Sequence, residues 1–399
     1  MPSFEMTRAT PCRGAGRTGA TGAARVAGAA RETGRADAGI FVFIVGYPIM
    51  PNIMRIKLTA HTSFAASALL AAAAAFAAAA PPSAAGTQPA TPDVRAGSLP
   101  PTWNTGGPKC MEMPEWQIHE YNPDLYILRQ SGCTDFEKPF VYLLFGGERA
   151  LLLDTGSRHG NIAPALQLTM HRWLLRNHRG SIPLVAVHTH SHSDHIAGDA
   201  ELQALGDDAM PTTVVAPTVE ATRKFYGMAN WPEDAGTVDL GGRVIDVLAI
   251  PGHDTVGVAL YDRQTAILFT GDNVYPGRLY IRDLPVYESS NQRMIRFTDG
   301  KPVAHILGNH IEQTRTPFVD YPVGTIYQPD EHELALSRGV LFEVQAGLAA
   351  MKGNPKRVAY RDFSLWPTGP AFRETEEGAA IFKRTQQQQL DHMWDQTRP

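Results

Sequence analysis

The stretch Val187-His188-Thr189-His190-Ser191-His192-Ser193-Asp194-His195 constrains this chain more than any other, because four of its fourteen histidines and an aspartate fall within eight positions. Ile182 to Val187 before it is a short apolar run bounded by Gly180-Ser181, the pattern of a buried strand. Ile196 to Leu202 after it reads as the start of a helix. The cluster therefore occupies a strand-to-helix loop, where side chains converge without regular periodicity. A solvated polar loop accounts for one histidine but not for this spacing. A helix N-cap accounts for Asp194 alone. Metal ligation accounts for the whole group, since neutral imidazole and carboxylate are the customary nitrogen and oxygen ligands of zinc and similar ions.

A chain of 399 residues, 43% hydrophobic and 19% charged, can bury a full-sized core. Residues 1–85 are not expected to contribute to it. Residues 1–53 are Gly-, Ala- and Arg-rich and read as a non-native or disordered extension, with Met50 or Met54 as an alternative start. From Met54 a basic Met-Arg-Ile-Lys-Leu leads into an alanine-dominated apolar run, Phe64 to Ala80, and then Pro81-Pro82-Ser83-Ala84-Ala85. That is the pattern of a secretory signal over residues 54–85, cut after Ala85. The competing reading, a membrane anchor, suffers because alanine supplies little transfer energy and a span needs about 20 residues. The expected location is periplasmic or secreted, with no stable membrane insertion after cleavage.

Residues 1–85 carry eight Lys/Arg against three Asp/Glu, so the whole-chain charge of −4 leaves about −9 for the remainder. Nucleic acid is thereby excluded as a partner, since phosphate binding needs a basic face. A small-molecule substrate is the expected partner, and oligomeric state has no signature in the sequence. Of three cysteines, Cys110 and Cys133 follow the leader and form a candidate disulfide, the alternative being two unpaired buried thiols. Such a bridge would close a loop of about 23 residues and contribute on the order of 3 kcal/mol.

Residues 86–109 are punctuated by five prolines and read as a tether. Strands are predicted at Trp116–Tyr121, Leu125–Arg129, Phe140–Phe145 and Ala150–Leu153, the last two joined by a Gly146-Gly147 hairpin. The fourth ends in Asp154-Thr155-Gly156. A helix bearing Leu166, Met170, Trp173 and Leu174 follows, then the histidine strand, then strand Thr212–Ala216, helix Val219–Tyr226 and strands Thr237–Leu240 and Arg243–Ile250. A hairpin, Val256–Tyr261 with Ala266–Thr270, comes next. Hairpins early and late with helices between suggest two sheets with helices outside. His332 to Met351 reads as one long helix, in a C-terminal extension (326–399) that either roofs the cleft or caps the fold of the 110–325 domain. Residues 385–395 read as an exposed helix or a disordered tail.

Three further strand ends deliver a potential ligand: Ile250-Pro251-Gly252-His253, Leu268-Phe269-Thr270-Gly271-Asp272 and Ile306-Leu307-Gly308-Asn309-His310. Each alone also reads as an ordinary turn. With His190-x-His192-x-Asp194-His195 at the centre and Asp154, His253, Asp272 and His310 flanking it in order, the chain from about Phe140 to His310 resembles the metallo-β-lactamase fold superfamily of metallohydrolases. The resemblance implies an α+β fold, an αββα sandwich of two mixed β-sheets with helices on both outer faces and metals at one edge. It implies that His190, His192 and His253 hold one metal and Asp194, His195 and His310 the second, with Asp272 bridging and Asp154 fixing the histidine loop behind them. The carboxylate bridge and the lack of a cysteine ligand place the chain nearer the glyoxalase II, lactonase and phosphodiesterase branches. Two departures from the family pattern stand out: Gly257 lies four rather than three residues after His253, and Asn309 separates Gly308 from His310. His188 reads as a core or supporting residue rather than a ligand.

The resemblance further implies two zinc ions, with iron or manganese as alternatives, sharing a hydroxide that attacks an ester, lactone or amide carbonyl. Coordination lowers the pKa of water from 15.7 to about 7. Asp194 would orient the nucleophile and carry a proton. Tyr275, three residues after Asp272, resembles a tyrosine that faces the substrate carbonyl in acyl-homoserine lactonases; a packed loop aromatic is the alternative. Export argues against a cytoplasmic thioester of the glyoxalase II kind. The competing functions are a β-lactam hydrolase or phosphodiesterase of the same fold, an iron-dependent oxidoreductase of the dioxygenase kind, and a non-catalytic metal-binding protein.

Overall fold

The computed structural model describes residues 94–384, apart from residues 105, 108 and 109 and the side chain of Cys110. The expected leader, the extension before it, the first part of the tether and the tail from 385 lie outside the described residues. No helix among the described residues is long and apolar enough to cross a membrane.

Four strands run as an antiparallel meander: β1 (Trp116–Asn122), β2 (Leu125–Gln130), β3 (Phe140–Phe145) and β4 (Ala150–Leu153). The chain crosses through α1 (Ala163–Arg176) to β5 (Leu184–Val187), parallel to β4. It then passes through α2 (Ser193–Ile196) and α3 (Asp199–Gln203) to β6 (Thr212–Val214), parallel to β5. Helix α4 (Val219–Tyr226), N-capped by the Thr218 hydroxyl, leads to a second sheet. That sheet opens with an antiparallel meander of β7 (Ala235–Asp239), β8 (Val244–Ala249), β9 (Val258–Asp262) and β10 (Ile267–Gly271). After β11 (Arg278–Ile281) and α5 (Leu284–Phe297), β12 (His305–Gly308) joins it parallel to β10, and β13 (Ala335–Leu336) closes its edge. Helix α6 (Gly339–Ala350) follows. A small third sheet unites β11 with β15 (Ser364–Pro367) and β14 (Val358–Ala359); α7 (Pro370–Arg373) follows, and the chain is helical again over 376–384.

Side-chain alternation produces the layers. Along β3, Phe140, Tyr142 and Leu144 point into an apolar layer shared with Ile245, Val247, Leu260 and Phe269 of the second sheet. Val141, Leu143 and Phe145 point the other way, onto Leu166, Met170 and Trp173 of α1. The Phe145 and Trp173 rings stack at 4.4 Å between centroids. The opposite face of the second sheet buries Leu248, Ala259 and Leu268 beneath Tyr287 and Met294 of α5 and Val340, Leu341 and Val344 of α6. Strands buried on both faces read as continuous apolar runs, and each large side chain so buried contributes about 1.5–3 kcal/mol. The order is helix, sheet, sheet, helix: an α+β, αββα sandwich of two mixed sheets, as the sequence implies. Helix α1 has no capping side chain at Ile162. Instead Glu201 of α3 accepts hydrogen bonds from Ile162 N (3.2 Å) and Ala163 N (2.7 Å), tying two of its free amides to the helix that follows the histidine loop.

Several expectations are corrected. The single helix expected after His195 is two short ones, broken at Gly198, where a Cβ would lie 2.6 Å from the Thr155 carbonyl. Residues 332–351 are not one helix: Ala335–Leu336 pairs with β12 before α6 begins at Gly339. The C-terminal extension, read as helical, also supplies β13, β14 and β15. From Val94 the tether is packed rather than free: Arg95 N donates to Gln264 O, Ser98 N to Tyr121 O, and the Trp103 ring enters the core against Phe140. Cys133 is disulfide-bonded; Cys110, the partner expected from the sequence, has a side chain outside the described residues.

Candidate metal centre

The seven expected ligands converge at one edge of the sandwich, each just beyond the C-terminal end of a strand: the histidine loop after β5, His253 after β8, Asp272 after β10 and His310 after β12. Glycines permit the approach. Gly271 adopts φ +54°, and a Cβ there would lie 2.8 Å from that of Thr189. Gly252 adopts φ +128° against the backbone of Tyr287.

His192 Nδ1 lies 3.0 Å from His190 Nε2 and 3.1 Å from His253 Nε2. Beside this group, Asp194 Oδ2 lies 3.1 Å from His195 Nε2 and 3.2 Å from His310 Nε2, and the two ring nitrogens are 3.3 Å apart. Asp272 stands between the sets. Its Oδ2 is 3.8 Å from His190, 3.7 Å from His253 and 3.6 Å from His195, and its Oδ1 is 3.4 Å from His310. Metal–ligand bonds of about 2.0–2.1 Å in a tetrahedron require ligand atoms about 3.3 Å apart, so both groups have the dimensions of a zinc site.

Each buried ring has its other nitrogen committed, and this fixes which nitrogen faces the centre. His253 Nδ1 donates to Tyr280 O (2.9 Å) and His310 Nδ1 to Glu137 O (2.9 Å). His195 Nδ1 donates to Asp154 Oδ2 (3.0 Å). The Thr189 hydroxyl donates to the same oxygen (2.8 Å), leaving Thr189 Oγ1 to accept from His190 Nδ1 (3.0 Å). Four Nε2 lone pairs therefore point inward with no proton of their own to share. Asp272 Oδ1 is buried without a hydrogen-bond partner. These donors fit a pair of divalent cations.

Electrostatics agree. Burial pushes His190 and His253 down, toward neutral imidazole. Burial would do the same to His195 and His310, but the Asp194 and Asp272 carboxylates beside them pull both up. Against its own burial, Asp194 is held well below the usual carboxylate range by His195 and His310, and Asp272 by His310, His195 and His190. The cluster demands positive charge, which bound cations supply.

Asp154 is the hub behind it. Fully buried at φ +69°, it accepts from Thr189 N (2.7 Å) on Oδ1, and from Thr189 Oγ1, His195 Nδ1 and Asn309 Nδ2 (2.7 Å) on Oδ2. Asn309, the residue by which this chain departs from the family pattern, also donates to Phe140 O (2.7 Å) and thus bolts the His310 loop to the first sheet. The sequence reading gave Asn309 no role; an amide beside a ligand at a strand end was its signal. Asp154→Asn, which keeps the side-chain size and tolerates positive φ, is expected to weaken metal affinity about 10- to 100-fold. Competition with a chromophoric chelator measures it; an unchanged affinity would remove Asp154 from its place in the centre.

Two other placements matter. His188 is buried and its Nε2 lies 3.2 Å from Asp199 Oδ2, apart from both ligand groups. Tyr275 turns its hydroxyl into the fold. It is 1% exposed, its ring packs edge-on to His310, and its hydroxyl donates to Arg278 O and Glu312 Oε2, while Gly277 closes over the ring. Of the two readings of Tyr275, this placement fits the packed loop aromatic rather than the catalytic group. Glu137, which the sequence reading passed over, borders the centre, and its carboxyl is pushed up to about 7, chiefly by burial.

A family model described as the metallo-beta-lactamase superfamily matches residues 134–308, a span holding six of the seven converging residues and ending two short of His310. Residues 134–308 are thus a metallo-β-lactamase superfamily region. Superfamily relatives include the acyl-coenzyme A thioesterase MBLAC2 of Bos taurus, 28% identical over 228 residues, which cover 49% of this chain and 81% of that protein. The hydroxyacylglutathione hydrolase of Xanthomonas euvesicatoria pv. vesicatoria is 28% identical over 179 residues, 42% of this chain and 60% of that protein. Among solved structures, a metallo-beta-lactamase from Pontibacter korlensis aligns with a TM-score of 0.39 at 16% identity, covering 59% of this chain and 99% of that one. The present chain is a hydrolase of the superfamily, with a His/Asp cluster suited to divalent metal.

Proposed function

We propose that the protein is a dinuclear zinc hydrolase of acyl esters, thioesters met outside the cytoplasm included. The observation that carries this is the sharing of Asp272 between two complete ligand sets: His190, His192 and His253 on one side, Asp194, His195 and His310 on the other. The names of its relatives, a thioesterase and a hydroxyacylglutathione hydrolase, support a thioester carbonyl as the target. When bound, the metals polarise the carbonyl oxygen and lower the pKa of water to about 7. Asp194 turns Oδ2 toward His195 and His310, which leaves Oδ1 to take a proton from the attacking water and return it to the departing thiolate or alkoxide. The carbon–sulfur or carbon–oxygen bond breaks, and a carboxylic acid and a thiol or alcohol leave. Neither step calls on a serine or cysteine nucleophile.

Metal analysis coupled to a substrate panel tests the reading. The purified protein is expected to hold two equivalents of zinc and to hydrolyse thioesters. Dialysis against a chelator should abolish turnover, and zinc should restore it. Two equivalents of metal with no turnover of thioester, ester, lactone, β-lactam or phosphodiester would sink the proposal. We further infer export, with cleavage after Ala85. The disulfide at Cys133 supports an oxidising compartment. N-terminal sequencing of the protein recovered from its host decides this, and a retained Met54 would refute it.

A further inference from the structure

The outer face of the third sheet carries a cation with no ion-pair partner among the described residues. Along β11, Leu279 and Ile281 point into the core, so Arg278 and Tyr280 point away from it. Trp366, in register with Tyr280 on the neighbouring strand, shares that outer face, and the two rings meet edge to face at 5.7 Å. Arg357, just before β14, lays its guanidinium 3.8 Å from the Trp366 ring centroid.

The three fully buried arginines, Arg129, Arg243 and Arg278, are each paired with a carboxylate. Arg357 is half-buried, has no ion pair among the described residues, and its Nε is buried without a hydrogen-bond partner. Nearby charges do not neutralise it: Glu377 is in electrostatic range but forms no ion pair, while Arg278 and Arg384 add positive charge. A guanidinium packed over an indole can still offer its Nη donors to a carboxylate or phosphate. The face also leads to the metal centre. Tyr280 gives its backbone carbonyl to His253 Nδ1, and Arg278 is held by Glu312, two residues beyond His310. Trp366 thus sits one strand away from the residue whose carbonyl holds His253.

We propose that Arg357 on Trp366 is an anion-binding subsite that holds a carboxylate or phosphate of the substrate remote from its scissile carbonyl. The substrate class is then an extended acyl ester or thioester bearing that anion, which rests on the hydrolase reading for its kinetics though not for its binding. Arg357 acts as a specificity residue, with no part in bond breaking.

The test uses the full-length zinc-loaded protein. Calorimetry is run with S-methyl-coenzyme A, which carries phosphates, and with S-methylglutathione, which carries carboxylates; neither can be hydrolysed as a thioester. The protein is expected to bind one of them, naming the source of the anion, and Arg357→Met is expected to weaken that binding about tenfold or more. In kinetics, KM for the matching anionic acyl thioester rises by a similar factor while kcat stays. Both constants for the neutral acyl-N-acetylcysteamine stay at parental values. Arg357→Gln, which keeps a polar head without the charge, repeats the measurement should the methionine variant fail to fold. Binding of neither ligand by the parent, or equal affinity of parent and variant, overturns the proposal. So does an equal rise in KM for neutral and anionic thioesters, which would reveal a packing role. Tight binding with no turnover of any thioester would overturn the hydrolase reading alone.

Discussion

Asp272→Ala is expected to lower zinc content from two equivalents to below one and to reduce thioester hydrolysis by about 10³-fold or more, equivalent to ~4 kcal/mol of transition-state stabilisation. Asp272 faces both ligand groups: its two oxygens lie 3.4–3.8 Å from four ring nitrogens. Removing it takes an anion from between two cation sites, so each site loses a ligand and the repulsion between the cations goes unshielded. Loss of a single-site ligand such as His253 should leave one zinc bound, so a zinc content below one equivalent in Asp272→Ala is the diagnostic. Elemental analysis alongside kcat/KM checks both. An Asp272→Ala protein that kept two zincs and most of its rate would disprove the bridge.

Arg129→Ala is expected to have the largest effect on folding, about 3–5 kcal/mol of lost stability, because it strands a buried carboxylate. Arg129 Nη1 and Nη2 pair with Glu331 Oε2 and Oε1 at 2.5 and 2.6 Å, both side chains buried, and the guanidinium also lies over the Phe140 ring. This pair fastens β2 to the segment that leads into β13, 202 positions later. The double replacement Arg129→Met with Glu331→Gln should recover a good part of the loss, since it leaves no unpaired charge. Denaturant unfolding measures both. A single variant within about 1 kcal/mol of the parent would show that water reaches Glu331.

The sandwich strands were legible because burial on both faces makes them continuous apolar runs between glycine turns, as in Phe140–Phe145 and Ala150–Leu153. The ligands were legible because each sits at a strand end and four fall in one short motif. What the sequence concealed was held together by distant or atypical contacts. Helix α5 buries Tyr287, Ser290, Asn291 and Met294, so two of its four core-facing positions are polar and the apolar period disappears. Asn291 is at home there only because Nδ2 donates to Leu341 O of α6. Strand β13 merged with α6 because both are apolar and only the edge of β12 separates their fates. Tyr275 read as a catalytic group on its resemblance to a lactonase tyrosine, while its partner Glu312, 37 residues on, is invisible to local pattern. Asn309 read as a departure from the family, although it is the donor that joins the His310 loop to Asp154.

The division of the ligands between the two sheets has a thermodynamic consequence. The histidine loop belongs to the first sheet, whereas His253, Asp272 and His310 belong to the second. Each metal would draw ligands from both. Prying the sheets apart at this end therefore requires giving up the ions, and free metal in solution opposes unfolding by mass action. At a thousand times the dissociation constant, one such ion adds about 4.1 kcal/mol to stability. With a divalent metal bound there, the melting temperature would become a readout of metal supply.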